Sequence, residues 1–238
     1  MYMKPILLKD HGIRLFYGRL YNHDYLWFSS SEIAQVSNTW PLLHNYALTY
    51  ALSQYSYGIY LGTAPQYEHD LKVMPVYATP AINTRVKRVE VTLNAMDDLT
   101  LRTDTGGKIN TPSLAKRIVI SPQVAKTKGH RRETFGYSFY CFTLTDYKLP
   151  GTFRLGKKGC SVRVYWEEIG GAEAYFIKNP VIPDHPVNPL DIYGSIIWYE
   201  PTIMPPHMIF RRVQIQNDYF ISVGKNMILF PKRLWQGR

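Results

Sequence analysis

Cysteine is nearly absent: Cys141 and Cys160 are the only two in 238 residues, and no CxxC spacing occurs. That excludes a disulfide framework and a thiolate zinc site, leaving two packed or partly exposed thiols. Long apolar runs are missing as well. The opening MYMKPILLKDHGIR has only Ile6, Leu7 and Leu8 between Pro5 and Lys9, and no stretch approaches eighteen uninterrupted apolar residues. Neither a signal peptide nor a membrane-spanning helix is expected, so the chain reads as soluble and cytoplasmic. GxxxxGK[ST], HExxH, GxSxG and the dinucleotide fingerprint are all missing. The seven histidines are scattered without ligand spacing. The acidic pairs Asp97-Asp98 and Glu167-Glu168 read as solvent-facing. No metal, cofactor or catalytic residue is therefore expected.

Acidic residues are also scarce in one region, and that scarcity is informative. From residue 108 to 163 there are twelve Lys or Arg and two Asp or Glu, whereas the flanking regions are each neutral. The net charge of +10 of the whole chain thus resides in 56 residues. With a pI near 9.5, such an unbalanced block points to a polyanionic partner, because uncompensated like charges repel one another.

What is present is a chain 45% apolar, long enough for one domain with a real core. GIRLFYGRLY (Gly12 to Tyr21) and DYLWFSS (Asp24 to Ser30), joined at Asn22-His23, predict a β-hairpin. Leu43, Ala47, Tyr50 and Ala51 recur at helical spacing and predict a helix over Leu42 to Gln54, with Pro41 at its start. Strands are expected at VMPVYATPAI, RVKRVEVTLNA, YSFYCFTL (Tyr137 to Leu144), SVRVYW, GSIIWYE, HMIFRRVQI, DYFISV and NMILF. Tyr137, Phe139 and Phe142 read as strand core. KNPVIPDHPVNPLD (Lys178 to Asp191) holds four prolines in fourteen residues and reads as a surface loop. The pattern is that of an α+β antiparallel sheet with a helix on one face. Residues 103–132, polar and poor in apolar periodicity, read as a basic lobe inserted in the single domain 1–238.

A membrane-surface role would need a cationic amphipathic helix, and Leu42 to Gln54 contains no Lys or Arg. One enzymatic alternative stands: metal-independent RNA cleavage, with His44, Tyr46 or His130 as the acid–base group. A general single-stranded RNA-binding module is the other alternative.

LHNYALTYAL (Leu43 to Leu52), Thr79-Pro80 after a strand, NTPSLAK (Asn110 to Lys116) and FRLGKKGCSVRV (Phe153 to Val164) occur in an order that resembles the Csc-one family. This is the Cas-five-type subunit of type I-D CRISPR effector complexes. Ala115 and Lys116 stand where the family pattern has glycine and arginine. The resemblance implies a ferredoxin-like, RRM-related fold with a projecting thumb. It also implies a non-cutting subunit that caps the 5′ handle of the crRNA. The implied partners are the adjoining backbone subunit and the large subunit, with contact to target DNA near its flanking motif left open.

On that reading Arg154, Lys157, Lys158 and Arg163 contact phosphates, while Gly156 and Gly159 let backbone N–H groups approach the RNA. Lys116, Arg117, Lys126, Lys128, Arg131 and Arg132 track the handle from the thumb. For His44, Asn45 and Tyr46 two alternatives stand. Either they contact a splayed base, or they form a helix start in which Tyr46 packs inward and Asn45 caps.

Overall fold

The computed structural model describes residues 4–33, 36–53, 65–95, 113–123, 126–128, 131–133, 136–144 and 146–235. Its first strands are β1 (Ile6–Leu7), β2 (Ile13–Asn22), β3 (Ser31–Ile33), β4 (Val36–Asn38) and β5 (Leu42–Leu43). Helices α1 (Asn45–Leu52) and α2 (Tyr67–Val73) follow, then β6 (Val76–Ala78), β7 (Ala81–Ile82), β8 (Arg88–Ala95) and β9 (Ser113–Ile120). A short hairpin β10 (Lys126–Lys128) and β11 (Arg131–Glu133) precedes β12 (Tyr137–Leu144), β13 (Thr152–Leu155), β14 (Cys160–Ile169) and β15 (Glu173–Ile177). The chain closes with β16 (Ser195–Thr202), β17 (Ile209–Gln216), β18 (Asp218–Val223) and β19 (Asn226–Leu229). Among the described residues, mostly antiparallel sheets with two α-helices make this an α+β arrangement.

The organising element is a curled sheet of order β13-β14-β2-β12-β7-β5, with β6 also paired to β12. Strand alternation gives it two different faces. On one, Phe16 and Leu20 of β2, Tyr137, Phe139 and Cys141 of β12 and Val162 and Val164 of β14 pack under Leu48 and Leu52 of α1. Gly18 leaves the space in which Trp166 meets Phe139 edge-on, ring centroids 5.5 Å apart. On the other face, Ile13, Leu15, Tyr140, Phe142 and Leu144 meet Ala174, Ile221 and Ile228 of a second sheet, β1-β15-β18-β19. Each large side chain buried this way contributes about 1.5–3 kcal/mol. Beyond Tyr17, that second face carries Arg19 and Tyr21 in place of apolar side chains. Tyr137, Phe139 and Phe142 are core, as expected.

The expected hairpin of Gly12 to Ser30 does not form. Both edges of β2 are occupied, by β12 and by β14, so Asp24 to Ser30 has no edge to join. The buried Asn22 turns the chain away, its Nδ2 donating to the carbonyls of Asp24 (2.8 Å) and Ser121 (3.0 Å). Leu26 then bridges Ile120 of β9. The predicted helix is shorter: Leu42–Leu43 is strand β5, His44 is the N-cap, and Pro41 lies outside. Helix α2, short and polar, had no signal in the sequence. The proline-rich segment is not a surface loop, because His185, Val187, Asn188 and Asp191 within it are buried. Val181 and Val187 make bridges to β17, and Pro189–Asp191 is a 3₁₀ turn.

Of the basic lobe, residues 103–112, 124–125 and 129–130 lie outside the described residues. Strand β9 joins the sheet β3-β4-β9-β8 and buries Val119 and Ile120. The hairpin β10–β11 pairs only with itself among the described residues. Both cysteines are free and buried, and burial raises their thiol pKa values. Among the described residues no helix is long and apolar enough to cross a membrane.

Candidate nucleic-acid interface

The turn between β13 and β14 contains Gly156 at φ +79° and Gly159 at φ +61°, both in the left-handed region that favours glycine. At Gly156 a second constraint applies, since a Cβ there would lie 2.7 Å from the Trp27 carbonyl oxygen. The turn is docked on that carbonyl: the Lys157 N–H donates to it at 3.0 Å. The Gly159 N–H donates to the Gly156 carbonyl, also at 3.0 Å. These two N–H groups of the turn are thus used inside the protein. Gly156 serves close packing against residue 27, Gly159 supplies the second positive φ of the turn, and the cations remain outside.

Lys157 Nζ donates to Ser29 Oγ at 2.8 Å and sits 5.4 Å from the centre of the Trp27 ring. Arg117, reaching from β9, places its guanidinium 4.1 Å from the same ring. The indole N–H of Trp27 donates to Ser37 Oγ at 3.0 Å, which fixes the ring plane between β4 and the turn. Cation–π attraction at such exposed positions is worth about 0.5–1 kcal/mol for each cation. Trp27 therefore joins two basic segments that lie forty residues apart in the chain. Sequence reasoning passed over it because DYLWFSS reads as one more aromatic strand.

Lys157 also stands at one side of a cavity of about 290 Å³. His44, Tyr46, Tyr50 and Tyr67 line it, with Ser29 beside the lysine. His44 caps α1, its Nδ1 accepting from the Tyr46 N–H at 3.1 Å. Burial, reinforced by nearby His207, pushes its pKa down to about 3, so the ring is neutral at pH 7. Asn45, assigned as either base contact or cap, is neither. Its side chain is fully buried, Nδ2 donating to Tyr77 Oη at 2.8 Å and Oδ1 accepting from Asn188 at 3.1 Å. Tyr46 is packed inward, as the structural alternative has it, and its hydroxyl accepts from Arg233 at 3.1 Å.

The remaining candidates separate. Lys116 pairs with Glu90 across β8 at 3.0 Å, an exposed ion pair. Lys158 is exposed in the turn. Arg154 donates back to the Gly159 carbonyl at 3.0 Å. Arg154 and Arg163 share the face of β13–β14 turned away from Leu155, Cys160 and Val162, so they do not join Lys157 around Trp27. The side chains of Lys126, Lys128, Arg131 and Arg132, and all of His130, lie outside the described residues. A larger cavity, about 410 Å³, borders Lys72, Lys232 and Arg233. Arg233 is not free for a ligand there, because Asp191 holds its Nε at 2.9 Å. Among the described residues no three His, Cys, Asp or Glu side chains group as a metal site.

Residues 13–236 match the profile of the family described as Type I-D CRISPR-associated protein Cas5/Csc1. The chain belongs to this family. The match includes both segments that meet at Trp27, and it extends over the C-terminal third, where no family motif was legible in the sequence. No curated protein matches this member of the family at a significant level.

Proposed function

We propose that this Cas5/Csc1 chain is the subunit that binds the crRNA in a type I-D effector complex, capping its 5′ handle without cutting it. The observation that carries the reading is the Trp27 clamp. Arg117 and Lys157, from the two basic segments, flank one indole beside an aromatic cavity. Single-stranded RNA is recognised by cations for its phosphates and by rings for its unstacked bases. On this reading Lys157, Lys158 and Arg117 take phosphates, and His44 with Tyr67 borders the space for one splayed base. The hairpin β10–β11 is the thumb that extends toward the adjoining backbone subunit, and the seven-stranded sheet with α1 on its face is the ferredoxin-like core. The large subunit and the flanking motif of target DNA lie within the same assembly, in the cytoplasm.

Co-expression with the other effector subunits and a CRISPR array tests this. The chain is expected to copurify with crRNA. Recovery of a complete RNA-loaded complex without it would sink the reading. Lys157→Glu with Lys158→Glu is expected to weaken RNA binding and to flatten its salt dependence by about 0.7 in log–log slope per lost phosphate contact. The cutting alternative predicts metal-free cleavage of repeat RNA that is lost in His44→Ala or His130→Ala. The low pKa of His44 favours the binding reading, since so weak a base accepts a proton poorly at pH 7.

A further inference from the structure

The sheet face turned away from α1 carries a second feature, at the end left uncovered by the second core. There β14 and β2 pair Arg163 with Tyr21 and Tyr165 with Arg19. Directly opposed residues and next-but-one residues share a face, so these four side chains form a two-by-two checkerboard of arginine and tyrosine. Tyr165 is 37% exposed and stands edge-on to the buried Tyr21, ring centroids 5.8 Å apart at 80°. No described carboxylate lies within 4.0 Å of Arg19, Arg154 or Arg163, although other arginines here are paired, as Arg14 is with Glu168. An open groove next to the checkerboard is lined by His23, Thr152, Arg154, Ser161 and Arg163. The stem of the basic hairpin roots at the same place: Gln123 N–H donates to the Asn22 carbonyl at 2.8 Å, and Gly136 is pressed against Tyr21. Glu167, the next residue on this face of β14, marks where the cationic stretch ends.

We propose that the outer face of β2 and β14, with Arg19, Arg163 and Tyr165 set over a buried Tyr21 and continued by Arg154, is a second track for single-stranded nucleic acid, separate from the Trp27 clamp. The charge selects a polyanion. The exposed ring of Tyr165 selects one with planar bases over an acidic protein segment, because sequence-tolerant stacking on aromatic rings accompanies phosphate contacts in single-strand binding. The hairpin β13–β14 divides the two surfaces. Lys157 at its tip turns toward Trp27 and the cavity, whereas Arg154 and Arg163 on its strands point to the opposite side.

Fluorescence anisotropy on the full chain tests the track, with labelled twelve-nucleotide oligo-U and oligo-dT, and an oligo-glutamate peptide as competitor. Arg19→Gln with Arg163→Gln is expected to weaken nucleic-acid binding about tenfold and to reduce the salt slope by about 1.4 for two phosphates. Tyr165→Ala is expected to cost about tenfold through lost stacking, and Tyr165→Leu, which keeps apolar cover over Tyr21, to cost about the same. Thermal melts matched to the unsubstituted chain establish that these variants are folded. The RNA and DNA arms identify which strand the face prefers, and either preference supports the track. Unchanged affinity and slope in all three variants, or equal competition by oligo-glutamate, overturns it. If Lys157→Glu with Lys158→Glu abolishes binding while the Arg19 and Arg163 variant is unaffected, the track fails and the handle reading stands. The reverse pattern removes the clamp and keeps the track.

Discussion

Replacing Asp191 with alanine should destabilise the chain by about 3 kcal/mol, and the reason runs through the helix that lines the cavity. Asp191 is 3% exposed and accepts from Tyr77 Oη at 2.7 Å and from Arg233 Nε at 2.9 Å. Tyr77 in turn accepts from Asn45, and Arg233 donates to Tyr46, so two residues of the first turn of α1 hang on this carboxylate. Removing it strands a fully buried hydroxyl, at about 1–3 kcal/mol, and breaks a buried ion pair, at about 3–5 kcal/mol. The two costs overlap, and the Arg233 side chain, 22% exposed beside the 410 Å³ cavity, can recover some hydration. That places the expectation near the lower bound. Asp191→Asn keeps an acceptor for Tyr77 and loses only the charge, so about half the cost is expected. In urea unfolding followed by tryptophan fluorescence, both variants should lower the midpoint at unchanged slope. A loss below about 1 kcal/mol for alanine, or equal losses for alanine and asparagine, would refute the argument from buried charge.

Three further outcomes follow from single positions. Gly18→Ala should cost about 1–3 kcal/mol by overpacking, because its Cβ would lie 2.7 Å from Trp166 Cζ3 and 2.8 Å from the Phe139 ring; a neutral change in midpoint would count against it. Gly156→Ala should lower RNA affinity more than Gly159→Ala in the same titration: both strain a positive φ, but only residue 156 would push against the Trp27 carbonyl and tilt the clamp. Acidification from pH 7 to 5.5 should destabilise the chain by about 1 kcal/mol for each of His44 and His185. Burial holds their folded pKa values at about 3 and about 4, below the ordinary 6.5, so the unfolded chain takes up protons that the folded chain refuses. Stability from these groups is complete above pH 6.5 and is lost as pH falls toward their folded values. Burial raises the carboxyl pKa values of Asp191 and Asp218, which favours the fold as they protonate at lower pH, hence the choice of window. His44→Gln should flatten the pH dependence by about half, and an unaltered slope would show that its ring is not buried neutral.

Which parts of this molecule could be read from its sequence follows from the range of the forces involved. The strands Tyr137–Leu144 and Asp218–Val223 were legible end to end, since a short aromatic and β-branched run is a local property of the chain. The partner of β2 was not. Asn22-His23 looks like a hairpin connection, yet the strands that flank β2 come from more than a hundred residues downstream. The proline-rich segment was misplaced for a related reason. Its buried Asn188 and Asp191 are tolerable only because Asn45, Tyr77 and Arg233, distant in sequence, satisfy them. Within the candidate interface, the charge run 108–163 was visible by counting, whereas Trp27 was not, because its role depends on two cations brought to it by tertiary packing.

The same distinction explains why one basic block becomes two surfaces. In sequence, Arg154, Lys157, Lys158 and Arg163 form a single cluster of positive charge. In the hairpin they obey different constraints: strand alternation sends Arg154 and Arg163 to the face away from the first core, while the turn geometry set by Gly156 carries Lys157 to Trp27. Separation lowers the repulsion among the four cations when no polyanion is bound, because screening by salt grows over a Debye length of about 8 Å at physiological ionic strength. It also means that a charge reversal at Lys157 and one at Arg163 should act almost additively on nucleic-acid affinity, as expected for sites without a shared partner. Strong coupling between those two substitutions would place both on one phosphate path and remove the division that the hairpin imposes.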